Sequence, residues 1–404
     1  MDAIRQQRVY VLILLAALAA VLLPVLALNY VLGLRSLGGG AAVLQASEWQ
    51  QATHGITYAP PLNNNRPFKT ARLLDRLPEI NAVVFGSSTA MGITRNMFPD
   101  GWRAYNFAQT GNPLVSVVAE AEALQRRQPA LKWLILPLDW ALGFVYEPGT
   151  PGNYELTPPM RSGGSVDRAV PLPQQLRDAL SLPRIRNLFG ILKNIVQAPS
   201  SLGAFGELFL QEAGNEYRCA DGTPAKDFDT IFRGTCTGFR DDGSATFANL
   251  ETVAPRRAES LIASAVVASS KYAIALTQSR GEPNPVILER IAALSRTMRA
   301  RGGAVILFMP PLLPGLERAL LTAPHTGPPL QHTKAVLERW ARAGNLVIID
   351  AGQAERYACA VEEFVDEHHA LPQCYERIFS RYWEAARVAG KSGAGLWSGQ
   401  MDGR

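Results

Sequence analysis

Two short polar segments of this 404-residue chain hold residues that together could carry out nucleophilic catalysis. Gly86-Ser87-Ser88-Thr89 follows the apolar residues 82–85, and Asp366-Glu367-His368-His369 lies near the C-terminus. A serine attacks a carbonyl when a neighbouring base takes its proton, and a histidine oriented by a carboxylate is the usual base. The order serine, aspartate, histidine along the chain therefore suggests a serine esterase as a first hypothesis.

Each segment also has a simpler structural interpretation. Ser87-Ser88-Thr89 has the side chains that commonly cap a helix, and adjacent histidines on a polar loop can be plain surface residues. His368 is an alternative base. Metal-dependent hydrolysis through residues 366–369 is disfavoured, because the other three histidines lie in unrelated segments. The sequence therefore predicts a site with neither a metal nor a cofactor.

The composition argues against one class of partner. The chain is 47% hydrophobic and carries a formal net charge of +5, with its basic residues scattered along the sequence. A nucleic-acid-binding surface needs clustered basic residues, so no nucleic-acid partner is predicted. An ordinary solvated surface accounts for the charge, and a mild attraction to anionic surfaces or anionic polysaccharide is the alternative.

The N-terminal region predicts a membrane anchor. Residues 9–28 form an uncharged, almost wholly apolar run of about the length that spans a bilayer. Arg5 and Arg8 precede it, and positive flanks stay in the cytoplasm, so the chain after Leu34 is predicted to lie outside the inner membrane. A cleaved signal peptide ending near Val25-Leu26-Ala27 is the alternative. Because the run is long for a signal core, a retained single-pass anchor is preferred.

The four cysteines fit a chain that is exported from the cytoplasm, because disulfides persist in the oxidising compartments outside it. Four cysteines allow three pairings. Local pairing of Cys219 with Cys236 and of Cys359 with Cys374 is predicted, because each bridge closes a short loop. The second bridge would hold the segment that contains Asp366 and the two histidines.

The elements that must position these residues alternate between strands and helices. This alternation predicts an α/β fold, a three-layer sandwich with a mainly parallel sheet. Apolar runs predict strands at 82–86, 105–108, 133–139, Ala304–Met309 and 346–349. Amphipathic segments predict helices at 70–77, Leu114–Arg127, 286–301, 333–343 and 375–388. Ser88 then lies at the carboxyl end of the first strand, where open α/β sheets bind their ligands.

The predicted domain organisation consists of several consecutive parts. They are a cytoplasmic stub with the transmembrane anchor at 1–34, an irregular connector at 35–78, the α/β domain at 79–389 and a flexible tail at 390–404. A mid-chain insertion at about 150–280 interrupts the α/β domain, with helices predicted at 176–196 and 258–275. A cap or lid over the carboxyl edge of the sheet is the expected use of such an insertion.

With these motifs in this order, the chain resembles the SGNH/GDSL hydrolase superfamily, whose fold is flavodoxin-like. It is similar in particular to the membrane-anchored bacterial branch that includes alginate O-acetylation proteins. The resemblance covers roughly residues 78–145 and 300–385. Gly86-Ser87-Ser88 corresponds to the Gly-Asp-Ser of family block I, with Ser87 in place of the aspartate, which implies that Ser88 is the nucleophile. Asp366 and His369 match the Asp-x-x-His of block V, which implies His369 rather than His368 as the base.

The resemblance also implies an oxyanion hole. Gly111 corresponds to the block II glycine, whose backbone N–H joins the N–H of Ser88 in this hole. The chain departs from the family at block III, Gly-x-Asn-Asp, because its third strand ends Pro137-Leu138-Asp139-Trp140 with no asparagine amide. Asn112 is predicted to replace that donor, or a different backbone group does so. Asp139 and Trp140 are expected only to line the pocket.

The resemblance implies a periplasmic acyltransferase or acylesterase that acts on envelope or exopolysaccharide glycans. Transfer is favoured over hydrolysis, because an anchor would hold the domain beside a membrane acyl-donor protein. The expected partners are thus a glycan or polysaccharide acceptor, a membrane acyl donor and the membrane itself through the N-terminal helix. The alternative is a non-catalytic scaffold that binds polysaccharide or partner proteins, for which the missing block III asparagine is the main support.

Overall fold

The structure is a computed structural model. It describes residues 2–32, 40–57, 65–139, 172–182, 185–186, 189, 193, 217–226, 235–247 and 250–388. The chain divides into two compact units, one made of Met1–Ala71 with Ser162–Asp241 and the other of Arg72–Arg161 with Asp242–Arg404. The boundaries predicted from sequence at 35, 79 and 390 stay predictions. Trp140, the tail 390–404 and much of the insertion lie outside the described residues.

The first unit contains the N-terminal helix α1 (Asp2–Leu32). Its segment Arg5–Leu28 is long and apolar enough to cross a membrane, as the composition predicts. Residues 35–78, predicted to be irregular, include helix α2 (Gly40–Thr53) and strand β1 (Ile56–Thr57). The reason is pairing that a local pattern does not reveal, since β1 forms a parallel pair with Ala225–Lys226, far along the chain.

The second unit is built around a five-stranded parallel sheet. Its strands are β2 (Ala82–Val84), β3 (Ala104–Asn106), β4 (Trp133–Pro137), β6 (Ala304–Met309) and β7 (Val347–Asp350), where β5 is Ala225–Lys226 of the first unit. They lie in the order β3-β2-β4-β6-β7. This is the order 2-1-3-4-5 of one common doubly wound fold. The predicted parallel α/β architecture is confirmed.

Burial of the strands explains why this sheet forms. All six residues of β6 are buried, as are all three of β2 and of β3. Successive strand residues point to opposite faces, so burial of every residue means that both faces of the sheet are covered. The β2–β4 register places Val84 beside Ile135, and the β2–β3 register places Val84 beside Asn106. Residues that follow β2 therefore leave the sheet between two neighbouring strands.

Helices connect the strands of the second unit. They are α4 (Leu114–Arg127), α6 (Pro255–Ala265), α7 (Lys271–Ser279), α8 (Pro285–Ala300), α9 (Leu316–Thr322), α10 (Gly327–Gly344) and α11 (Pro372–Val388). Two further helices precede or interrupt this series along the chain, α3 (Asn65–Arg76) and α5 (Leu172–Ala179). The single helix predicted at 258–275 is wrong, because the chain forms two helices there. Ser270 caps α7 by accepting the Ala273 N–H at 3.1 Å, which begins a new helix.

Both predicted disulfides are confirmed. Cys219 bonds to Cys236 with a Cα–Cα distance of 5.8 Å, and Cys359 bonds to Cys374 with a Cα–Cα distance of 5.1 Å. The first lies in the first unit and the second in the sheet-containing unit. Such bridges are typical of proteins outside the cytoplasm.

Candidate active site

The turn after β2 exposes Ser88 and requires a glycine at its start. Gly86 has φ +144°, and a Cβ there would lie 2.7 Å from Pro137 Cγ and 2.8 Å from the Ala90 Cβ. Only glycine adopts this backbone without strain and without collision. A short 3₁₀ turn, Ser88–Ala90, follows. The tight turn therefore holds Ser88 at the carboxyl end of the strand.

The capping function belongs to Ser87 and not to Ser88. The Ser87 Oγ accepts the Thr89 N–H at 3.3 Å and lies 2.8 Å from the Thr89 Oγ1, and both side chains are buried. Ser88 is half-buried. Its Oγ is thus available for a different contact.

That contact is with His369, which is in turn bonded to Asp366. The Ser88 Oγ lies 2.8 Å from the His369 Nε2, and the His369 Nδ1 lies 2.7 Å from the Asp366 Oδ2. The structure therefore brings together the three residues that sequence analysis selected. In the serine-nucleophile state, Ser88 donates its proton to Nε2 while Nδ1–H donates to the carboxylate.

The loop that carries His369 is fixed by backbone and covalent bonds. The Asp366 Oδ1 accepts the N–H groups of His368 and His369, both at 2.9 Å. The N–H of Leu313 donates to the Glu367 carbonyl at 3.0 Å. The Cys359–Cys374 bridge joins the chain before this loop to α11, which begins just after it.

The electrostatics of the loop keep the Asp366 carboxylate charged. Burial raises the pKa of Asp366, but the hydrogen bond from His369 and the nearby imidazoles outweigh burial and leave the pKa well below its usual value. Burial lowers the pKa of His368 to about 4. At neutral pH the loop therefore holds an ionised aspartate and an uncharged His368.

His368, the alternative base, has other contacts. Its Nδ1 lies 3.1 Å from the Lys271 Nζ and 3.4 Å from the Asp366 Oδ1. Its ring packs beside that of His369, with centroids 4.2 Å apart. Among the described residues, Ser88 is hydrogen-bonded to His369 and not to His368.

Two backbone donors suit an oxyanion hole. In the part of the chain that the structure describes, neither the Ser88 N–H nor the Gly111 N–H donates to a protein acceptor. The Gln109 N–H donates to the Gly86 carbonyl at 2.9 Å, so the loop that contains Gly111 runs beside the Ser88 turn. Gly111 has φ +64°, which suits glycine, and is exposed.

Asn112, the predicted replacement for the block III amide, has a buried side-chain partner. Its Nδ2 donates to the Glu120 Oε2 at 3.0 Å, and its backbone N–H donates to the Gln109 carbonyl at 3.2 Å. Both groups are buried. Glu120 is buried on α4 and needs a hydrogen-bond donor, and Asn112 supplies one. Asn112 therefore bonds to α4 and within the loop that contains Gly111, and its role in an oxyanion hole stays a prediction.

Asp139, expected only to line the pocket, contacts the residue next to Ser88. The Thr89 Oγ1 donates to the Asp139 Oδ2 at 3.4 Å, one residue from Ser88. Burial raises the pKa of Tyr272, and the charges of Glu367, Asp139 and Asp366 raise it further. Three carboxylates therefore act on one buried phenol beside the site.

Sequence analysis did not identify Lys271, the first residue of α7. Its Nζ lies 2.7 Å from the Glu367 Oε1 and so joins α7 to the loop that carries His369. The only local sign was Ser270, a typical helix cap.

Asp366, His368 and His369 also bring three potential metal-ligating atoms within 4.8 Å of one another.

Comparison with known proteins leaves the site to be interpreted from its chemistry. No protein-family model, curated protein or solved structure matches this chain.

Proposed function

We propose that this chain is a serine acyltransferase or acylesterase of the SGNH type. Ser88 is the nucleophile, His369 the general base and Asp366 the group that orients the imidazole. The observation that carries this proposal is the pair of hydrogen bonds from Ser88 through His369 to Asp366, at 2.8 Å and 2.7 Å. Both lie within the distance at which a base accepts a proton.

The chemistry follows from these distances. The Ser88 Oγ attacks the carbonyl carbon of an ester while its proton moves to the His369 Nε2. The bond to the leaving alcohol then breaks, and His369 returns the proton to that oxygen. An acceptor hydroxyl next attacks the acyl-Ser88 carbonyl and gives its proton to His369. The bond to the Ser88 Oγ then breaks as His369 returns that proton to Oγ. Water in place of the acceptor gives hydrolysis.

Backbone N–H groups of Ser88 and Gly111 are the oxyanion donors in this proposal. Each such donor stabilises the transition state by about 3 kcal/mol when it is aimed at the developing charge. The Gly86 turn before Ser88 and the 2-1-3-4-5 strand order support an SGNH-like assignment. In that assignment the nucleophile follows the first strand of the sheet.

The compartment and substrate class complete the proposal. A helix able to span a membrane and two disulfides support a single-pass inner-membrane protein with its catalytic domain in the periplasm. There the acceptors would be hydroxyl groups of envelope or secreted glycans, and a membrane protein would supply the acyl group. The anchor would hold the domain beside this acyl donor, so transfer is favoured over hydrolysis.

Replacing the nucleophile tests the proposal. We expect Ser88→Ala to lower the rate of aryl acetate hydrolysis by on the order of 10⁴-fold or more, since the triad then has no attacking atom. The matched control is Ser380→Ala on the exposed side of α11, which should keep the wild-type rate. Circular dichroism checks that each variant is folded. Full esterase activity in Ser88→Ala would refute the assignment.

A non-catalytic scaffold is the second candidate, and the Asn112–Glu120 bond favours it. That bond engages the side-chain amide that would replace the block III donor. Such a protein would bind a polysaccharide or an assembly partner and turn over no ester. Wild-type protein that shows no activity above Ser88→Ala, on aryl acetates and acetylated glycans alike, would favour the scaffold.

A further inference from the structure

The catalytic loop directs two imidazoles toward one carboxylate. The His369 Nδ1 lies 2.7 Å from the Asp366 Oδ2, and the His368 Nδ1 lies 3.4 Å from the Asp366 Oδ1. The two histidine side chains are about one-fifth exposed and that of Asp366 is 30% exposed. A small ion from solvent can therefore reach all three groups.

We propose that Asp366, His368 and His369 bind a divalent transition metal such as Zn²⁺, and that the bound ion inhibits Ser88. Two imidazole nitrogens and a carboxylate oxygen are common zinc ligands at about 2.0–2.2 Å. Ligand atoms at that distance around a tetrahedral ion lie about 3.4 Å apart. The His368 Nδ1–Asp366 Oδ1 distance of 3.4 Å already fits, whereas the His369 Nδ1 lies 2.7 Å from the other oxygen, Oδ2. One ligand atom from each residue lies within 4.8 Å of the others, so modest side-chain shifts bring the three onto one ion.

The surroundings already stabilise a positive charge at this place. The Lys271 Nζ lies 3.1 Å from the His368 Nδ1 and 2.7 Å from the Glu367 Oε1. The Lys271 side chain is 48% exposed, so its ammonium group can move into solvent as the metal enters. Glu367, whose Oε1 lies 3.7 Å from the His368 Nδ1, then offers a further oxygen ligand.

Inhibition follows from the tautomer of His369. Without metal, its proton sits on Nδ1 and bonds Asp366, which leaves the Nε2 lone pair for the Ser88 proton. A metal on Nδ1 takes the place of the Nδ1 proton, and that proton moves to Nε2. No proton is gained or lost, but Nε2 can no longer accept from Ser88. The metal site rests on ligand geometry alone, whereas its effect on Ser88 rests on the proposed function.

Two measurements on the full chain in detergent test this proposal separately. Calorimetry with Zn²⁺, or the visible absorption of added Co²⁺, reports metal binding without any need for Ser88 reactivity. We expect His368→Ala to weaken binding by about tenfold or more, because one ligand is lost. The control is His332→Ala, a histidine on α10 paired with Glu282, which should bind the metal as the wild type does.

The second measurement is the rate at which a fluorophosphonate labels Ser88, with and without Zn²⁺. The rate for each variant is divided by its own metal-free rate. We expect a reduction of about tenfold in the wild type and in His332→Ala, a chelator to restore it, and little reduction in His368→Ala. Equal metal binding by wild type and His368→Ala would overturn the proposal. Metal binding that depends on His368 but leaves labelling unchanged would overturn the inhibition, and absence of labelling in every sample would instead contradict the proposed function.

Discussion

The reactivity that we propose for Ser88 depends on how His369 is held. Asp366 holds it twice, through the side-chain bond to Nδ1 and through the bond from the His369 backbone N–H. The pKa of Asp366 lies below its usual value despite burial, so the carboxylate stays ionised across the neutral range. An ionised partner fixes the tautomer and stabilises the imidazolium that forms during attack.

Asp366→Asn should therefore remove most of the activity without unfolding the chain. The amide keeps the shape of the carboxylate but favours the wrong His369 tautomer, so we expect kcat to fall by about 10³–10⁴-fold. Steady-state kinetics with an aryl ester measure this. The exposed Asp100→Asn is the charge-matched control and should retain kcat. A loss of only a few-fold in Asp366→Asn would contradict the role given to this residue.

The juxtaposition of Ser88, Asp366 and His369 could be predicted, because residue type, chain order and spacing suggest it. The contact of Asn112 with Glu120 could not, because it depends on how α4 packs. Lys271 was missed for a similar reason. It meets His368 across 97 positions of sequence, and no local pattern records such an approach.

At the scale of elements, the candidate site depends on the turn that follows β2 and on the hydrogen-bonded loop that carries His369. β2, β3 and β4 were predictable because continuous apolar runs read as buried parallel strands. Their ends were predicted up to two residues too long. The break between α6 and α7 was missed, because apolar periodicity continues through Val266 and Val267 while the Ser270 cap starts a new helix.

The Cys359–Cys374 bridge should selectively affect the loop that carries His369. Replacing both cysteines by serine removes a constraint on a loop of 15 residues, which costs about 3 kcal/mol of stability, and lets the loop move relative to Ser88. We expect the rate of aryl ester hydrolysis to fall by about tenfold or more, because small displacements of a catalytic group are costly.

The second disulfide is the matched control for this prediction. Cys219–Cys236 closes a loop of similar length, 17 residues, in the other unit. Its double serine variant should lose a similar amount of stability and keep the hydrolysis rate, both measured below the unfolding temperature. Equal rate losses in the two variants would show that the first bridge has no special relation to the site.

At the scale of the whole molecule, the N-terminal helix bears on where the proposed chemistry would occur. Its span could be predicted from composition alone, because length and apolarity determine whether a helix can cross a bilayer. The division into two units could not, because it depends on contacts far apart in sequence, such as the pairing of β1 with Ala225–Lys226.

The anchor should remain attached to the chain. We expect alkaline extraction to leave the full chain in the membrane fraction, since about 20 apolar residues hold a helix in the bilayer. Mass analysis should find the N-terminal residues before position 25 in the mature protein. A control chain that lacks residues 2–34 should be released. Mature protein that begins just after Ala27 would contradict a retained anchor and support a cleaved signal peptide.

The central claim is that Ser88 is an activated nucleophile, and covalent labelling tests it most directly. A fluorophosphonate reacts with a serine whose proton is withdrawn by a neighbouring base. Peptide mapping by mass spectrometry of labelled, folded protein identifies the modified residue. The account predicts one adduct on Ser88, absent in Ser88→Ala and strongly reduced in His369→Ala. Folded wild-type protein that carries no adduct on Ser88 would contradict it.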